Sequence, residues 1–160
     1  MVKKHIDPIA QLMQEHDEAL VQLANLRKAT KSIADTGFTD REYQQVLRAL
    51  EFIEEEVSIH NKSEEEALFP VLERYVEGPT KLMRQDHKEM RKEFRKLHRA
   101  VVKVGERKED GDAARELAET ARTIIQRFVN HIHKENHILF PLVQKFLTKD
   151  ALREVARRMV

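Results

Sequence analysis

An all-α, up-down-up-down four-helix bundle with a short extra helix at its C-terminal end is the fold this sequence predicts, and three observations predict it. Glycine and proline are scarce, four of each in 160 residues, while charged side chains reach 36%; that balance suits long solvated helices better than sheets joined by tight turns. Apolar residues return every third or fourth position in four long runs, and the short breaks between them make neighbouring helices antiparallel. One constellation also occurs twice, 71 residues apart: His16, His60, Glu64 and Leu68-Phe69-Pro70, then His87, His131, Glu135 and Leu139-Phe140-Pro141. A duplicated helical hairpin is the simplest source of such a repeat.

The first helix is expected from about Asp7 to Ala34, with Pro8 tolerated in its first turn and Gly37 as its stop. Its inward stripe reads Ile9, Leu12, Met13, Ala19, Leu20 and Leu23, and His16 sits inside that stripe. Thr39-Asp40-Arg41-Glu42 is a capping-box pattern that opens the second helix. The inner face there reads Leu50, Ile53, Val57, then His60 and Glu64, then Ala67, Leu68 and Val71. Gly78-Pro79 ends that hairpin and starts the third helix, which buries Met83, Met90, Phe94, Leu97 and Val101 with His87 in the same row. After the loop around Glu109 to Asp112, the fourth helix shows Leu117, Ala121, Ile124, Phe128, His131, Glu135, Ile138 and Leu142. A fifth, short helix is expected after Thr148, with Leu152, Val155, Ala156 and Met159 on one side, covering the bundle rather than making a dimer contact.

Length and charge bound the rest. A chain of 160 residues supports one compact domain with a real core, so residues 1–160 are read as a single domain. Its 29 basic and 28 acidic side chains nearly cancel, and nothing in that balance calls for nucleic acid. Cysteine is absent, which excludes disulfides, iron-sulfur clusters, thiolate zinc sites and thiol catalysis. Lys3, Lys4, Asp7, Glu15, Asp17 and Glu18 interrupt the first 25 residues, so neither a secretory leader nor a membrane span can be drawn there. A cytoplasmic location without membrane partners is the expectation.

Helix arithmetic brings the repeated residues to one level. His16 lies about 18 residues before the end of its helix and His60 about 20 after the start of the next, roughly 27–30 Å from the shared turn in each case. The second hairpin gives close to the same count for His87 and His131. His60 with Glu64, and His131 with Glu135, are i, i+4 pairs on one helical face. Four imidazoles and two carboxylates therefore reach the bundle axis: two histidines for each of two metal ions, with the glutamates between them. Burying such groups without compensation is costly, and a metal supplies it. Nitrogen and oxygen donors without sulfur suit iron or manganese, while affinity order alone also allows zinc, nickel or copper.

Through Glu15-His16, the stretch His60 to Pro70, Asp86-His87 with Arg91, and the stretch His131 to Pro141, the sequence resembles the hemerythrin-like, or HHE cation-binding, domains. The resemblance implies a four-helix bundle around two non-haem iron ions joined by an oxo or hydroxo bridge. It implies His16, His60, Glu64, His87, His131 and Glu135 as ligands, and a diatomic ligand or peroxide as partner, with a redox protein as a possible second. Oxygen carriers of that family have a His-x-x-x-His pair on the third helix and, on the fourth, an aspartate five residues after its histidine. Here Arg91 replaces the second histidine, and Glu135 follows His131 by four. The symmetric set looks more like the branches that repair iron centres or sense oxygen, iron or nitric oxide.

Other residues read as bland. His133 and His137 form an i, i+4 pair on the solvent face, and His5 and His98, without repeat partners, belong to the surface. Arg91 is either a neighbour of the ligands or half of a surface salt bridge. Pro70 and Pro141 end or bend their helices, and Leu68, Phe69, Leu139 and Phe140 roof one end of the site. Two functions from other classes stay open at this point: an iron-responsive structural or interaction module without turnover, and a phosphotransfer bundle, which would need one exposed histidine.

Overall fold

The computed structural model describes residues 7–159, and the reading of His5 lies outside them. Helix α1 spans Pro8–Thr36. The Asp7 side chain caps it by accepting from the Ile9 amide at 2.9 Å, and Pro8 occupies the first turn, where a missing N–H costs nothing. Gly37 ends the helix at φ 101°, a left-handed conformation that favours glycine, as the sequence suggests, with Thr36 rather than Ala34 as the last helical residue. The Thr39 hydroxyl accepts from the Glu42 amide at 3.2 Å, the expected cap of α2. Helix α2 runs over residues 40–72 and is interrupted twice: Asp40–Phe52 is α-helical, Ile53–Val57 widens to a π-helical turn, Ser58–Ser63 returns to α, Glu64–Leu68 widens again, and Phe69–Leu72 closes it.

Gly78, at φ 109°, turns the chain into α3, Pro79–Glu106, with proline at its first position. Asp110 caps α4 by accepting from the amides of Asp112 and Ala113. Helix α4 is α-helical over Gly111–Lys134, π-helical over Glu135–Leu139 and α-helical again over Phe140–Phe146. Thr148 caps α5, Lys149–Arg158. Helix is thus the one regular structure among the described residues, four long antiparallel helices and one short one with no strand, as the sequence predicts.

Two apolar clusters fill the bundle. One holds Leu23, Leu26, Val46, Leu97, Leu117 and Ile124 among others. The second gathers Ile9, Leu12, Leu68, Phe69, Met83, Leu139, Phe140 and Val143, and α5 closes it with Ala151 and Val155. The short helix therefore covers the bundle, and an Arg74–Glu154 ion pair at 2.9 Å ties it to the end of α2. Between the clusters lies a polar layer built from the six repeated residues.

Two expected core positions face solvent. Met13 is 41% exposed, on the outer shoulder of the α1 stripe. Ile138 is 56% exposed, whereas Leu139 is buried, because the π-helical turn inserts one residue into the phase of α4 and hands the inward position to the next side chain. The same slip makes Val143 rather than Leu142 the buried residue one turn on. No described helix is long and apolar enough to cross a membrane.

Candidate metal centre

All six repeated residues converge at one level, and none is more than 7% exposed. Helix α1 delivers His16, α2 His60 and Glu64, α3 His87, and α4 His131 and Glu135. Every imidazole turns its Nε2 inward. His16 and His60 bring these atoms to 3.0 Å from each other, and His87 and His131 to 3.1 Å. Glu64 Oε1 lies 3.2 Å from His60 Nε2 and 3.3 Å from His87 Nε2, one contact in each hairpin. Glu135 Oε1 mirrors it at 3.2 Å from His131 Nε2 and 3.1 Å from His16 Nε2.

The outward nitrogens fix the tautomers. His60 Nδ1 donates to Glu15 at 2.8 Å, His87 Nδ1 to Glu65 at 2.9 Å and His131 Nδ1 to Asp86 at 3.1 Å. An ionised carboxylate only accepts, so the proton belongs to Nδ1 and the inward Nε2 of a neutral ring is a bare lone pair. His16 Nδ1 completes the set by donating to Asn136 Oδ1 at 2.8 Å. The interior thus sets acceptor against acceptor at hydrogen-bond distance. Both oxygens of Glu64 and Oε2 of Glu135 are buried without any hydrogen-bond partner, a costly state for a charged group.

A cation resolves that conflict. Donors held about 2.1 Å from one ion must lie within about 4.2 Å of each other, and the inward contacts above meet that limit. The six residues fall into two groups that fit an ion, His16, His60, Glu64 and Glu135 in one and Glu64, His87, His131 and Glu135 in the other, sharing both glutamates. The model of the hemerythrin HHE cation binding domain matches residues 7–143. The chain belongs to the hemerythrin HHE cation-binding family. A search of curated proteins gives no match. Family membership and the buried histidine-glutamate cluster together mark a metal-binding site.

In this HHE domain the electrostatics follow from the same geometry. Burial works against a charged His60, but the nearby carboxylates of Glu64, Glu135 and Glu15 outweigh it and raise its pKa well above the ordinary value. His131 moves up in the same way against burial, held by Glu135, Glu64 and Asp86. Burial opposes ionisation of Glu135 too, and the groups packed against it, Glu64 and the three imidazoles of His131, His16 and His60, still draw its pKa well below the carboxylate range. Glu15 and Asp86 shift down, their partial burial overcome by His60 in one case and by His131 with Lys134 in the other.

The Leu-Phe-Pro triplets roof the site as expected, and they do so crosswise. Phe69 stacks on His87 at 5.9 Å, and Phe140 on His16 at 5.5 Å, each ring covering a histidine of the other hairpin. The prolines do more than end a helix. Pro70 and Pro141 lack an N–H and crowd the carbonyl four residues back. In both repeats the helix widens just upstream, with the amide of Phe69 or Phe140 reaching back five residues to the glutamate carbonyl. Both glutamates thus open a π-helical turn, which the spacing alone did not reveal.

Four side chains with no assigned role in the sequence reading complete the site: Glu15 and Asp86, which enter there only as parts of the family motifs, and Glu65 and Asn136. They occupy equivalent positions 71 residues apart, Glu15 with Asp86 and Glu65 with Asn136, but the residue types differ, so the repeat only hints at them. Arg91 fills both of its expected roles, pairing at the surface with Glu65 at 3.6 Å while Glu65 holds His87. His133 and His137 stack on each other at 5.7 Å on the exposed face, away from the cage.

Proposed function

We propose that this HHE domain is a non-haem di-iron protein that binds or reacts with a small ligand, oxygen, nitric oxide or peroxide, in the cytoplasm, in redox or nitrosative stress sensing or in iron handling. His16 and His60 would hold one iron, His87 and His131 the other, and Glu64 and Glu135 would bridge them. The observation that carries this reading is the pairing of inward Nε2 atoms 3.0 and 3.1 Å apart around carboxylate oxygens that have no other partner. When bound, two iron ions, with the oxo or hydroxo bridge that the family resemblance implies, would supply one-electron chemistry and Lewis acidity toward a small ligand. The chain supplies the rest: Glu15, Glu65, Asp86 and Asn136 orient the rings and keep the proton on Nδ1, and Phe69 and Phe140 exclude water from one end.

Arg91 rather than a histidine follows His87 by four residues on α3, which favours the sensor and repair branches over reversible oxygen carriage. Anaerobic loading with ferrous iron tests the core of the proposal. Two ions per chain are expected, one for each ligand group, with near-ultraviolet oxo-to-iron bands on exposure to air; wild-type protein that takes up no iron would sink it. The orphaned buried carboxylates also favour a second reading, an iron-responsive module whose folded state is read by a partner. Equal melting temperatures with and without metal would exclude that one.

A further inference from the structure

The ligand cage is symmetric, but the protein around it is not. Between α1 and α2 a narrow cavity of about 20 Å³ runs from the surface to His16, His60, His131 and Glu135. A single water-sized molecule needs about 10–15 Å³ measured in this way, so the space takes a ligand of one or two heavy atoms. Its walls are Ala19, Val57, Phe52 and Phe128, and the exposed carboxylates Glu18 and Glu56 stand at its rim with Glu15.

The repeat says what the other hairpin offers in the same place. Seventy-one residues on, Ala19 becomes Met90, Asn61 becomes Ile132, Phe52 becomes Thr123 and Glu56 becomes Arg127. Met90 is fully buried, filling the space that Ala19 leaves free. The surface groove there is lined by Asp86, Thr123, Arg127 and Lys134 and touches none of the four ligand histidines. One hairpin is therefore open with an acidic rim; the other is plugged, its groove mixing Arg122, Arg127 and Lys134 with Asp86, although Glu18 recurs in that hairpin as Glu89.

We infer that the α1/α2 cavity is the route by which small ligands reach the centre, that Ala19 keeps it open, and that its carboxylate rim selects uncharged molecules over anions. This rests on the di-iron reading for the centre it serves. A neutral diatomic passes Glu18 and Glu56 without electrostatic cost, whereas an anion meets like charges that water and salt screen only in part.

Stopped-flow association of nitric oxide with the diferrous protein, and of azide with the diferric protein, tests the route and the filter. Ala19→Met is expected to slow both at least about tenfold with two irons retained. Ala19→Val guards against a folding defect, checked by circular dichroism. Met90→Ala should slow neither. Glu18→Gln combined with Glu56→Gln should speed azide about threefold at low salt, leave nitric oxide unchanged, and lose the effect at high salt. Full-rate association in an iron-replete Ala19→Met protein would overturn the route, and an azide rate indifferent to the rim substitutions would overturn the filter. Oxygen-induced relaxation of methyl resonances in the metal-free chain decides the route whatever the iron result: Ala19 and Val57 should respond more strongly than Met90, and an equal response overturns it. Failure of the wild type to load iron would instead strike at the di-iron reading.

Discussion

At the residue scale, the cage depends on which nitrogen of each imidazole carries the proton, and that is decided outside the cage. Glu15 and Asp86 occupy equivalent positions in the two hairpins and accept from His60 and His131. Replacing either by its amide leaves size and shape nearly unchanged but removes the charge that holds Nδ1–H outward. Glu15→Gln and Asp86→Asn should each weaken metal retention by about 10–100-fold, measured by chelator competition, while helical content stays unchanged. Retention equal to the wild type would mean that these carboxylates are ordinary surface charges. The six candidate ligands stood out in the sequence because a histidine in an apolar stripe is conspicuous and a histidine plus glutamate repeated at one offset more so. Their polar neighbours repeat only in kind, Glu15 as Asp86 and Glu65 as Asn136, and an acidic residue on a helix is unremarkable in a chain so rich in charge, so only the contact with an imidazole gives it a role.

At the scale of elements, helix bounds were readable where a cap states them: Asp7, Thr39, Gly78-Pro79, Asp110 and Thr148 all sit where a helix begins or ends. The π-helical turns were not, because a wider turn costs the sequence no cap and no break in hydrophobicity, only a slip of one residue. That slip is testable in α4. Ile138→Lys, on the solvent side, should change stability by no more than about 0.5 kcal/mol. Leu139→Ala, in the apolar cluster against α5, should cost about 2–5 kcal/mol by chemical denaturation. An uninterrupted α-helix makes the opposite assignment, with Ile138 inward, so the two variants together decide between them. Both glutamates open such a turn upstream of a proline, which ties Leu-Phe-Pro to the placement of the ligands as well as to their hydrophobic roof.

At the scale of the whole molecule, a charged layer is sandwiched between two apolar clusters, and what fills that layer sets the stability of the bundle. Without metal, only protons can stand between the facing acceptors. The raised pKa of His60, facing Glu64, Glu135 and Glu15, and that of His131, facing Glu135, Glu64 and Asp86, mean that the metal-free fold binds these protons more tightly than the unfolded chain does. Their contribution is fully present below the ordinary histidine value of 6.5 and is lost as pH rises through the higher folded values. Glu135 acts in the opposite sense: its contribution is present above the ordinary 4.5 and lost as pH falls through its depressed value. The metal-free protein should therefore be most stable between about pH 4.5 and 6.5 and weaken on the alkaline side. Metal binding runs the other way, since the ligands must shed those protons and alkaline conditions favour the loaded form. Melting temperatures of chelated and anaerobically iron-loaded protein at pH 5.5, 7 and 8.5 should diverge, the gap widening with each step. A gap that stays constant would mean that the protons bound by the empty cage and the ions bound by the full one do not compete for the same lone pairs.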